Sequence, residues 1–282
     1  MLTERSARVR DAQKLTRRHG RDKVGRFLAE GPQAVREALA ESSGPRPGLV
    51  IEVFAGEQAA VRHADLIGAA LDLGIAVSHA TDAAMATLSE TVTPQGLVAV
   101  CRSLSIPPTE ALATARLAVL LAEVRDPGNA GTVIRCADAA GADAVVLTSG
   151  SVDAHSGKAV RASAGSVFHL PIAADIPPVE AVRLAGAAGL TVLAADGAAE
   201  MDLVDAARRG LLEQPTAWLF GNEAWGLPDE LRRLADERVR VPIYGRAESL
   251  NLATAAAICL YASATAMIAA DGRRARTSAA EP

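Results

Sequence analysis

The sequence predicts an α/β protein built on a mostly parallel sheet that helices cover on both faces. Apolar runs of strand length, such as residues 117–122 and 216–220, alternate along the chain with segments of helical periodicity. A strand that is apolar throughout belongs in a sheet buried on both faces, because a half-exposed strand alternates polar and apolar residues. Half of the 282 residues are hydrophobic but only 3% are aromatic, so alanine, valine and leucine must fill the core.

Residues 1–105 form a smaller α/β domain in this interpretation. Pro32 begins a helix that carries Val35 and Leu39 on one face, and Thr81 is a candidate N-cap for a later helix. In chain order, the predicted elements are a basic helix at 4–19, a strand at 26–31, a helix at 32–40, a strand at 49–55, a helix at 58–73, a strand at 75–79, a helix at 82–89 and a strand at 96–101.

A linker over residues 106–114, marked by Pro107 and Pro108, leads to a second domain at 115–270. Strands and helices alternate again in this domain, as is typical of a parallel sheet. The predicted elements are strands at 116–124, 144–147, 167–172, 190–195, 216–220 and 238–243, with helices at 130–140, 157–164, 178–188, from 228, and at 250–269. The small polar tail at 271–282 is expected to be disordered.

Positive charge is concentrated at the start of the chain. Residues 1–30 contain nine Lys and Arg against four Asp and Glu, although the whole chain has a net charge of −4. A basic segment on an acidic body is a candidate surface for RNA phosphates, and the alternative is a solvated basic helix. The candidate RNA contacts are Arg8, Arg10, Lys14, Arg17, Arg18 and Arg26, together with Lys158 and Arg161, for which a solvated helix face is an equal alternative.

Other classes of protein are disfavoured. No apolar run is expected to reach the roughly 18 residues that span a membrane, and the first residues lack the apolar region of a secretory signal. The cysteines, Cys101, Cys136 and Cys259, lie far apart without the spacing of a metal site. They are typical of buried thiols in a reducing compartment. We therefore expect a cytoplasmic protein that needs neither a metal nor a membrane.

A strand end, a glycine-bracketed loop and a helix start follow one another at residues 219–228. Gly221 and Gly226 bracket the loop, and Pro228 can open the next helix. Glu223 brings a carboxylate into this loop. Open α/β sheets bind ligands at such strand ends, and Gly221 allows a ligand to approach the backbone closely. Taken alone, an ordinary tight turn with a solvated glutamate is an equal alternative.

Two further stretches repeat this arrangement of strand, loop and helix. In residues 123–135, Asn129 lies near a helix start and Arg135 lies beside an apolar face, where a guanidinium needs a partner or a ligand. In the third stretch, Ser249 or Asn251 opens a long apolar helix. Taken alone, these features are a capping asparagine with a structural arginine and a second N-cap.

Together the three stretches resemble the signature motifs of the SpoU (TrmH) family of RNA ribose 2′-O-methyltransferases. The order and spacing match over residues 115–270, and the thiostrepton-resistance rRNA methyltransferases are the most similar members. The N-terminal domain resembles, more weakly, the RNA-binding extension of the rRNA-modifying members, through its basic start and residues 27–31. The motifs are Asn129 with Arg135, Gly221-Asn222-Glu223 with Gly226 and Leu227, and Ser249-Leu250-Asn251.

The resemblance implies a fold, a cofactor and an assembly that residue patterns do not reveal. The last part of the sheet is expected to be threaded into a trefoil knot, S-adenosylmethionine to bind in the knotted loops, and the protein to work as a homodimer. The implied cofactor contacts, mostly through backbone groups, are Ala194, Ala195, Phe220, Gly221, Asn222, Val241, Pro242, Ile243, Ser249 and Leu250.

The resemblance also assigns roles to the polar residues of the motifs. Arg135 deprotonates or positions the ribose hydroxyl, and Asn129 orients Arg135 or the ribose. Glu223 holds Arg135 or the third loop, while Ser249 and Asn251 shape the pocket between cofactor and substrate. Because an arginine keeps its proton at neutral pH, a phosphate or a carboxylate would have to assist any deprotonation.

The implied function is methyl transfer from S-adenosylmethionine to a ribose 2′-hydroxyl in RNA, chiefly 23S ribosomal RNA. Two alternatives stay open, a tRNA ribose 2′-O-methyltransferase and a non-catalytic RNA-binding ribosome-assembly factor of the same fold. A dinucleotide-dependent oxidoreductase is disfavoured, because no Gly-x-Gly-x-x-Gly sequence follows a predicted strand.

Overall fold

The structure, a computed structural model, describes residues 1–278 and divides the chain into two compact units. Unit 1 comprises Met1–Leu104 and Asp153–His169. Unit 2 comprises Ser105–Val152 and the chain from Leu170 onward. The alternation of strands and helices predicted from the sequence is confirmed in both units.

The first part of the chain contains short helices around four strands. The elements are α1 (Ala7–Gln13), α2 (Arg18–Val24), β1 (Arg26–Glu30), α3 (Pro32–Ser43), β2 (Val50–Gly56), α4 (Glu57–Arg62), α5 (Ala64–Asp72), β3 (Ala76–Ala80), α6 (Asp82–Thr87) and β4 (Leu97–Arg102).

The rest of the chain contains seven strands and ends in a long helix. The elements are α7 (Pro108–Leu112), β5 (Leu117–Leu121), α8 (Pro127–Ala139), β6 (Ala144–Thr148), α9 (Gly157–Ala162), β7 (Ile172–Ile176), α10 (Pro178–Ala187), β8 (Thr191–Ala195), β9 (Met201–Asp202), α11 (Leu203–Arg208), β10 (Thr216–Phe220), α12 (Asp229–Leu234), β11 (Glu237–Arg240) and α13 (Leu252–Ser278).

The sheet of unit 1 has four strands in the order β1-β4-β2-β3. Strand β4 is antiparallel to both β1 and β2, whereas β3 is parallel to β2. One face carries Leu28, Phe54 and Val100, which pack with Val9 and Leu15 into a buried cluster. The basic start of the chain therefore covers this face of the sheet with its few apolar residues.

The basic start is not the single helix predicted at 4–19. A 3-10 helix at Lys14–Thr16 follows α1, and Arg17 adopts an extended conformation before α2 begins. The backbone turns back so closely that a Cβ atom at Gly20 would lie 1.9 Å from the Lys14 carbonyl oxygen. Only glycine fits there, so the turn is specified by one residue that gives no periodic signal.

A segment from the later part of the sequence completes the core of unit 1. Arg21 is buried and donates from Nε to Asp153 Oδ2 at 2.6 Å. The buried carboxylate of Glu30 accepts hydrogen bonds from Ser89 and Thr91 and pairs with Arg161 at 2.5 Å. These partners satisfy charges that would otherwise be costly to bury.

The sequence interpretation assigned residues 153–169 to the second domain, but in the structure they group with unit 1. It also predicted a strand at 167–172, whereas a 3-10 helix spans Ser166–Phe168 and β7 begins at Ile172. Phe168 is fully buried, stacks on Phe27 at 5.9 Å and accepts a hydrogen bond from Arg46 on its carbonyl. Its apolar character therefore reflects core packing in unit 1 and not a strand.

His155 is buried beside Phe27, with their ring centroids 4.5 Å apart, and its Nε2 accepts a hydrogen bond from the Leu104 N–H at 3.3 Å. Burial lowers the pKa of His155 from 6.5 to about 4, and the positive charge of Arg21 adds to this, while Asp153 and Asp22 oppose it. The neutral imidazole is therefore a structural part of this core.

We expect acid to destabilise unit 1 through His155. Between pH 6.5 and 4, His155 binds a proton in the unfolded chain but not in the folded chain. The free energy of unfolding therefore has its full value above pH 6.5 and decreases as the pH falls through this interval. Urea unfolding followed by circular dichroism should show a loss of roughly 2 kcal/mol between pH 7 and pH 5 that His155→Gln removes. His19→Gln, at an exposed position in α2, should keep the wild-type difference.

The sheet of unit 2 has seven strands in the order β7-β6-β5-β10-β8-β11-β9, and every neighbouring pair is parallel. All residues of β5, β6 and β10 are buried, as their continuous apolar sequences predicted. Helices α7, α10 and α12 contribute to the apolar cluster on one face. Helices α8 and α13 pack together and on the sheet.

Helix α13 extends further than predicted and is continuous to Ser278, so residues 271–278 are helical; residues 279–282 of the expected disordered tail lie outside the described residues. By length and composition alone its residues Leu252–Gly272 could cross a membrane, so the expectation that no apolar run is long enough is wrong here. A single helix of this kind is weak evidence, and this one packs on the sheet. Its Ser263 accepts a hydrogen bond from the buried Trp218 indole at 2.9 Å.

Other differences concern short elements and boundaries. The helix predicted at 58–73 is interrupted at His63, whose conformation is not helical. The strand predicted at 238–243 ends at Arg240. Helices α7 and α11 and strand β9 were not predicted, because they have from two to six residues and carry little periodic signal. Helix α7 lies within the predicted linker.

Candidate functional site

Four neighbouring strands of unit 2 deliver the predicted loops to one edge of the sheet. Strands β5, β10, β8 and β11 lie side by side and run in the same direction. Their carboxyl ends are therefore at the same edge, where open α/β sheets bind ligands. The loop after β5 leads into α8, the loop after β10 leads to α12, and the chain after β11 leads to α13.

The loop after β5 is closed by a helix cap. Asp126 is the N-cap of α8 and accepts a hydrogen bond from the Asn129 backbone N–H at 2.8 Å, with Pro127 in the first helical turn. Asn129 was the predicted cap, but Asp126 caps the helix. The Asn129 side chain is therefore available for contacts outside its own helix.

Glu223 is the centre of the polar contacts at this edge. Its carboxylate accepts hydrogen bonds from the backbone N–H groups of Arg125 and Asp126 and from the Asn129 side-chain amide, each at 3.2 Å. Glu223 follows β10, whereas its three partners follow β5. One carboxylate thus joins two loops that are about 95 positions apart in the chain.

These contacts keep the Glu223 carboxylate charged. Partial burial raises its pKa, but hydrogen bonds from its own backbone N–H, the Asn129 amide and the N–H groups of Arg125 and Asp126 outweigh burial. The net result is a pKa below the ordinary value of 4.5. Hydrogen bonds to the charged form of a carboxylate always act in this direction.

Asn251 connects the third loop to the same group. Its side-chain amide donates to Asn129 Oδ1 at 3.0 Å, and its own Oδ1 accepts from the Ala253 N–H at 2.8 Å. Asn251 is therefore the residue that caps α13. The resulting chain of contacts runs from Glu223 through Asn129 to Asn251 and joins the three predicted motifs.

The loop after β10 has a fixed shape. Asn222 and Gly226 exchange backbone hydrogen bonds at 3.0 and 2.9 Å, and the Asn222 side chain donates to the Glu123 carbonyl at 2.7 Å. A Cβ atom at Gly221 would lie 2.4 Å from the Gly226 carbonyl carbon. The close approach that requires glycine at position 221 is thus to the loop's own backbone. Glu123 itself has a positive φ of 54°, a strained conformation for a non-glycine residue.

Arg135 and Ser249 do not join this group. Both are exposed, and neither forms a hydrogen bond or ion pair within the described residues. The expected contact between Glu223 and Arg135 is absent from the described part of the chain, because Glu223 is occupied by Asn129 and two backbone N–H groups. Arg135 is left free to contact a ligand.

Sequence reasoning missed two side chains near this edge. The Arg125 guanidinium lies 5.0 Å from the centre of the Trp225 ring, and 49% of Trp225 is exposed. Their contact joins the loop after β5 to the loop after β10, as Glu223 does. The local signal that would have located the first loop is the Asp126-Pro127 pair, which is typical of a helix start.

The proposed cofactor contacts lie at the ends of β8, β10 and β11. Residues Ala194 and Phe220 are buried at strand ends, whereas Ile243 and Leu250 are exposed. Within the described chain, no hydrogen bond involves residues 242–250. Their backbone N–H and C=O groups are thus free, and this fits a cofactor such as S-adenosylmethionine, whose adenine and amino-acid ends need donors and acceptors.

The candidate RNA contacts are in unit 1. Arg8 pairs with Glu52, Lys14 with Asp11, and Arg18 with Asp22. Arg161 is held by Glu30, so its charge is already balanced. Arg10, Arg17 and Arg26 are exposed without an ion-pair partner among residues 1–278, and Lys158 interacts within the chain. Within the same residues, no group of three or more His, Cys, Asp or Glu side chains could hold a metal ion.

Two family models match the chain. The model described as the SpoU rRNA Methylase family matches residues 116–261, and the model described as an MRM3-like substrate binding domain matches residues 6–99. The chain is 38% identical over 259 residues to the 23S rRNA (guanosine(2553)-2′-O)-methyltransferase RlmP of Bacillus subtilis, covering 91% of this chain and 96% of that protein. It is also 38% identical over 167 residues to the 23S rRNA (uridine(2479)-2′-O)-methyltransferase of Streptomyces viridochromogenes. That match covers 57% of this chain and 56% of that protein.

Solved structures resemble the whole chain. The AdoMet-bound rRNA methyltransferase from Sinorhizobium meliloti has a TM-score of 0.76 and 32% identity, covering 92% of this chain and 94% of that one. The SpoU methyltransferase AviRb from Streptomyces viridochromogenes in complex with AdoMet has a TM-score of 0.78 and 29% identity, covering 94% of this chain and 100% of that one.

Proposed function

The chain belongs to the SpoU rRNA methylase family, and we propose that it transfers a methyl group from S-adenosylmethionine to a ribose 2′-hydroxyl of 23S ribosomal RNA. The observation that carries the proposal is the chain of contacts from Glu223 through Asn129 to Asn251, which joins the loops of all three motifs. A non-catalytic RNA-binding factor would have no need of such a preorganised group. A tRNA substrate is less well supported, because a relative that is 38% identical and covered over 96% of its length is named for 23S rRNA.

The reaction forms a bond between the ribose oxygen and the methyl carbon, breaks the bond between that carbon and the cofactor sulfur, and releases the hydroxyl proton. The bound cofactor supplies the activated methyl group. Arg135 donates hydrogen bonds to the ribose oxygen as its negative charge grows, and a neighbouring RNA phosphate or water takes the proton. Asn129, Glu223 and Asn251 hold the loops, and Ser249 lines the pocket. Alignment of oxygen and methyl group supplies most of the acceleration.

The cofactor contacts follow from the free backbone of the chain after β11. Val241, Pro242 and Ile243 extend from the strand end, and Ser249 and Leu250 lead into α13. With the ends of β8 and β10, these residues would form the cofactor pocket beside the edge where the motifs meet. The trefoil knot in these loops stays a prediction of the family resemblance.

The proposal is tested first by cofactor binding and then by product mapping. Calorimetry with the full chain should detect S-adenosylmethionine binding, which a non-catalytic assembly factor need not show. Ribosomal RNA from a strain that lacks the gene should have lost one 2′-O-methyl group, and the purified protein with tritiated cofactor should restore it. Loss of a methyl group from tRNA alone would contradict the rRNA assignment.

We also propose that two copies associate in the cytoplasm through an exposed face of α13. Ile258, Tyr261 and Ile268 lie on this face with exposed fractions of 37%, 68% and 74%. Ile258 and Tyr261, together with Thr265 and neighbouring alanines, surround an open depression of about 750 Å³. An apolar stripe at spacings of three and four residues is typical of a helix that packs against a partner. The apolar character that resembles a membrane span is explained in the same way.

Tyr261→Asp should convert the dimer to a monomer in light-scattering measurements. A carboxylate placed in an apolar interface loses its hydration without gaining a partner, so association should weaken by a factor of about 100 or more. Val61→Asp is the matched control, since Val61 is 79% exposed in unit 1. A wild-type protein that is monomeric at micromolar concentration would contradict this part of the proposal.

A further inference from the structure

Unit 1 contains a cavity that the proposed reaction does not use. The cavity has a volume of about 470 Å³ and lies between the basic start of the chain and the exposed end of one sheet face. This volume is within the range of about 300–1,000 Å³ that is typical of small-molecule sites. Its apolar lining consists of the accessible Val24 and Ile51 above the buried Leu15, Phe54 and Val100.

Two local irregularities keep the cavity open. The close turn at Gly20 holds α2 back against the Lys14 carbonyl, and Gly20 lines the cavity. Between Val50 and Glu52 the pairing of β2 with β4 shifts register, which places an extra residue, Ile51, in the strand. Ile51 then packs against the cluster that contains Phe54 and forms part of the apolar lining.

One end of the cavity carries uncompensated positive charge. Lys23 and Arg26 line this end, and neither side chain has an ion-pair or hydrogen-bond partner within residues 1–278. Arg26 is directly opposite Arg102 in the pairing of β1 with β4. Like charges in that position repel each other, and a bound anion would relieve the repulsion. Arg102 is already oriented, since its Nε donates to the Gly48 carbonyl at 3.0 Å.

The other side of the cavity carries a hydrogen-bond acceptor. Glu52 is 14% exposed and pairs with Arg8 at 2.6 Å. A carboxylate in this position can accept from the amino group of cytosine, adenine or guanine, whereas uracil has no exocyclic amino group. The charge of Lys14 is balanced by Asp11, so the free positive charge remains at the end formed by Lys23 and Arg26.

We propose that this cavity binds one unpaired nucleotide of the RNA substrate. Its phosphate contacts Lys23 and Arg26, with Arg102 beside them, its base packs on Val24 and Ile51, and its amino group donates to Glu52. A base within a duplex is stacked and cannot enter, so the site selects single-stranded RNA. The inference rests on the proposed function only in taking RNA as the substrate.

Fluorescence anisotropy with the full chain tests the site. The probes are labelled oligocytidine and oligouridine of about ten nucleotides and a blunt RNA duplex of about 16 base pairs. Oligocytidine should bind about fivefold more tightly than oligouridine, and Glu52→Met, which removes both acceptor oxygens at similar length, should remove that preference. Equal binding of the two oligonucleotides by the wild-type protein would overturn the assignment of Glu52.

The phosphate end is tested by the double variant Lys23→Ala and Arg26→Ala. It should weaken oligocytidine binding about tenfold, reduce the salt dependence, and leave duplex binding within about twofold. Arg36→Ala with Arg62→Ala removes two cations of the same unit outside the cavity and should leave all three affinities unchanged. The side chains replaced in the test variant and in the control variant are all exposed, so neither variant should be impaired in folding.

The result separates this inference from the proposed function. If the protein binds S-adenosylmethionine and methylates ribosomal RNA but the Lys23 and Arg26 variant behaves like the control, the cavity is not an RNA site. If cofactor binding is absent while the discrimination between oligocytidine and oligouridine persists, the site stands and the proposed reaction fails. Free cytidine monophosphate should compete only weakly, and competition at the affinity of the oligonucleotide would identify a site for free nucleotides instead.

Discussion

Replacing Arg135 by alanine should reduce kcat for methyl transfer by a factor of about 1,000 while leaving the affinity for S-adenosylmethionine within about twofold. The guanidinium is exposed and has no partner among the described residues, so its removal breaks no contact that stabilises the fold. Its contribution is made to the ribose oxygen in the transition state. Removing a contact of that kind lowers kcat and leaves the affinity for the cofactor unchanged.

The measurement is single-turnover methyl transfer to ribosomal RNA, with calorimetry for the cofactor. Arg183→Ala is a matched control, since Arg183 is an exposed arginine in unit 2, on α10, without an ion-pair partner among the described residues. Arg135→Lys should recover part of the rate, because it keeps the charge without the planar set of donors. Turnover close to wild type in Arg135→Ala would remove Arg135 from the reaction.

Replacing Glu223 by glutamine should lower kcat/KM by a factor of about 100 and also weaken cofactor binding. The amide nitrogen of glutamine would face N–H donors where the carboxylate accepts hydrogen bonds from Arg125, Asp126 and Asn129. The loops after β5 and β10 would then separate, and with them Asn251 and the start of α13. Both binding and chemistry depend on those loops, so both should suffer.

Acidification provides an independent measurement of the same carboxylate. Because the pKa of Glu223 is lowered on folding, its contribution is present above the ordinary value of 4.5 and is lost as the pH falls through the lower folded value. Cofactor affinity should therefore persist in the wild type down to about pH 4.5 and be reduced at every pH in Glu223→Gln. Glu237→Gln, an exposed carboxylate on β11, is the matched control. Equal cofactor affinities in the two variants would contradict the central role of Glu223.

The strand-end loops could be located from the sequence because their signals are local. Apolar runs end at Ala122 and Phe220, and glycine, proline or asparagine follows within a few residues of each. What local patterns cannot reveal is which side chains meet. Asn129 is 94 positions from Glu223 and 122 from Asn251, and only the order of strands in the sheet brings them together.

The sequence also could not show which of the two hydrophobic cores a given apolar residue belongs to. Val160 and Phe168 are fully buried, as their sequence suggests, but they fill unit 1 and not the unit whose strands precede and follow them. A hydrophobic pattern indicates that a residue is buried and which secondary structure it belongs to. It does not indicate which other element that residue packs against. The same limit explains the long helix α13, whose apolar residues include both a buried face and an exposed one.

The segment Asp153–His169 also determines the order in which the protein can be completed during translation. When the ribosome has made Leu104, the nascent unit 1 still lacks three contacts of its finished core: Asp153 for Arg21, Arg161 for Glu30 and Phe168 for Phe27. At about 5–20 residues per second, the chain from Leu104 to His169 takes roughly 3–13 seconds to make. The N-terminal unit must wait for that time with its core unfinished, although it leaves the ribosome first. An unfinished core exposes apolar surface, so aggregation is a risk to the nascent chain during this interval that the finished fold no longer has.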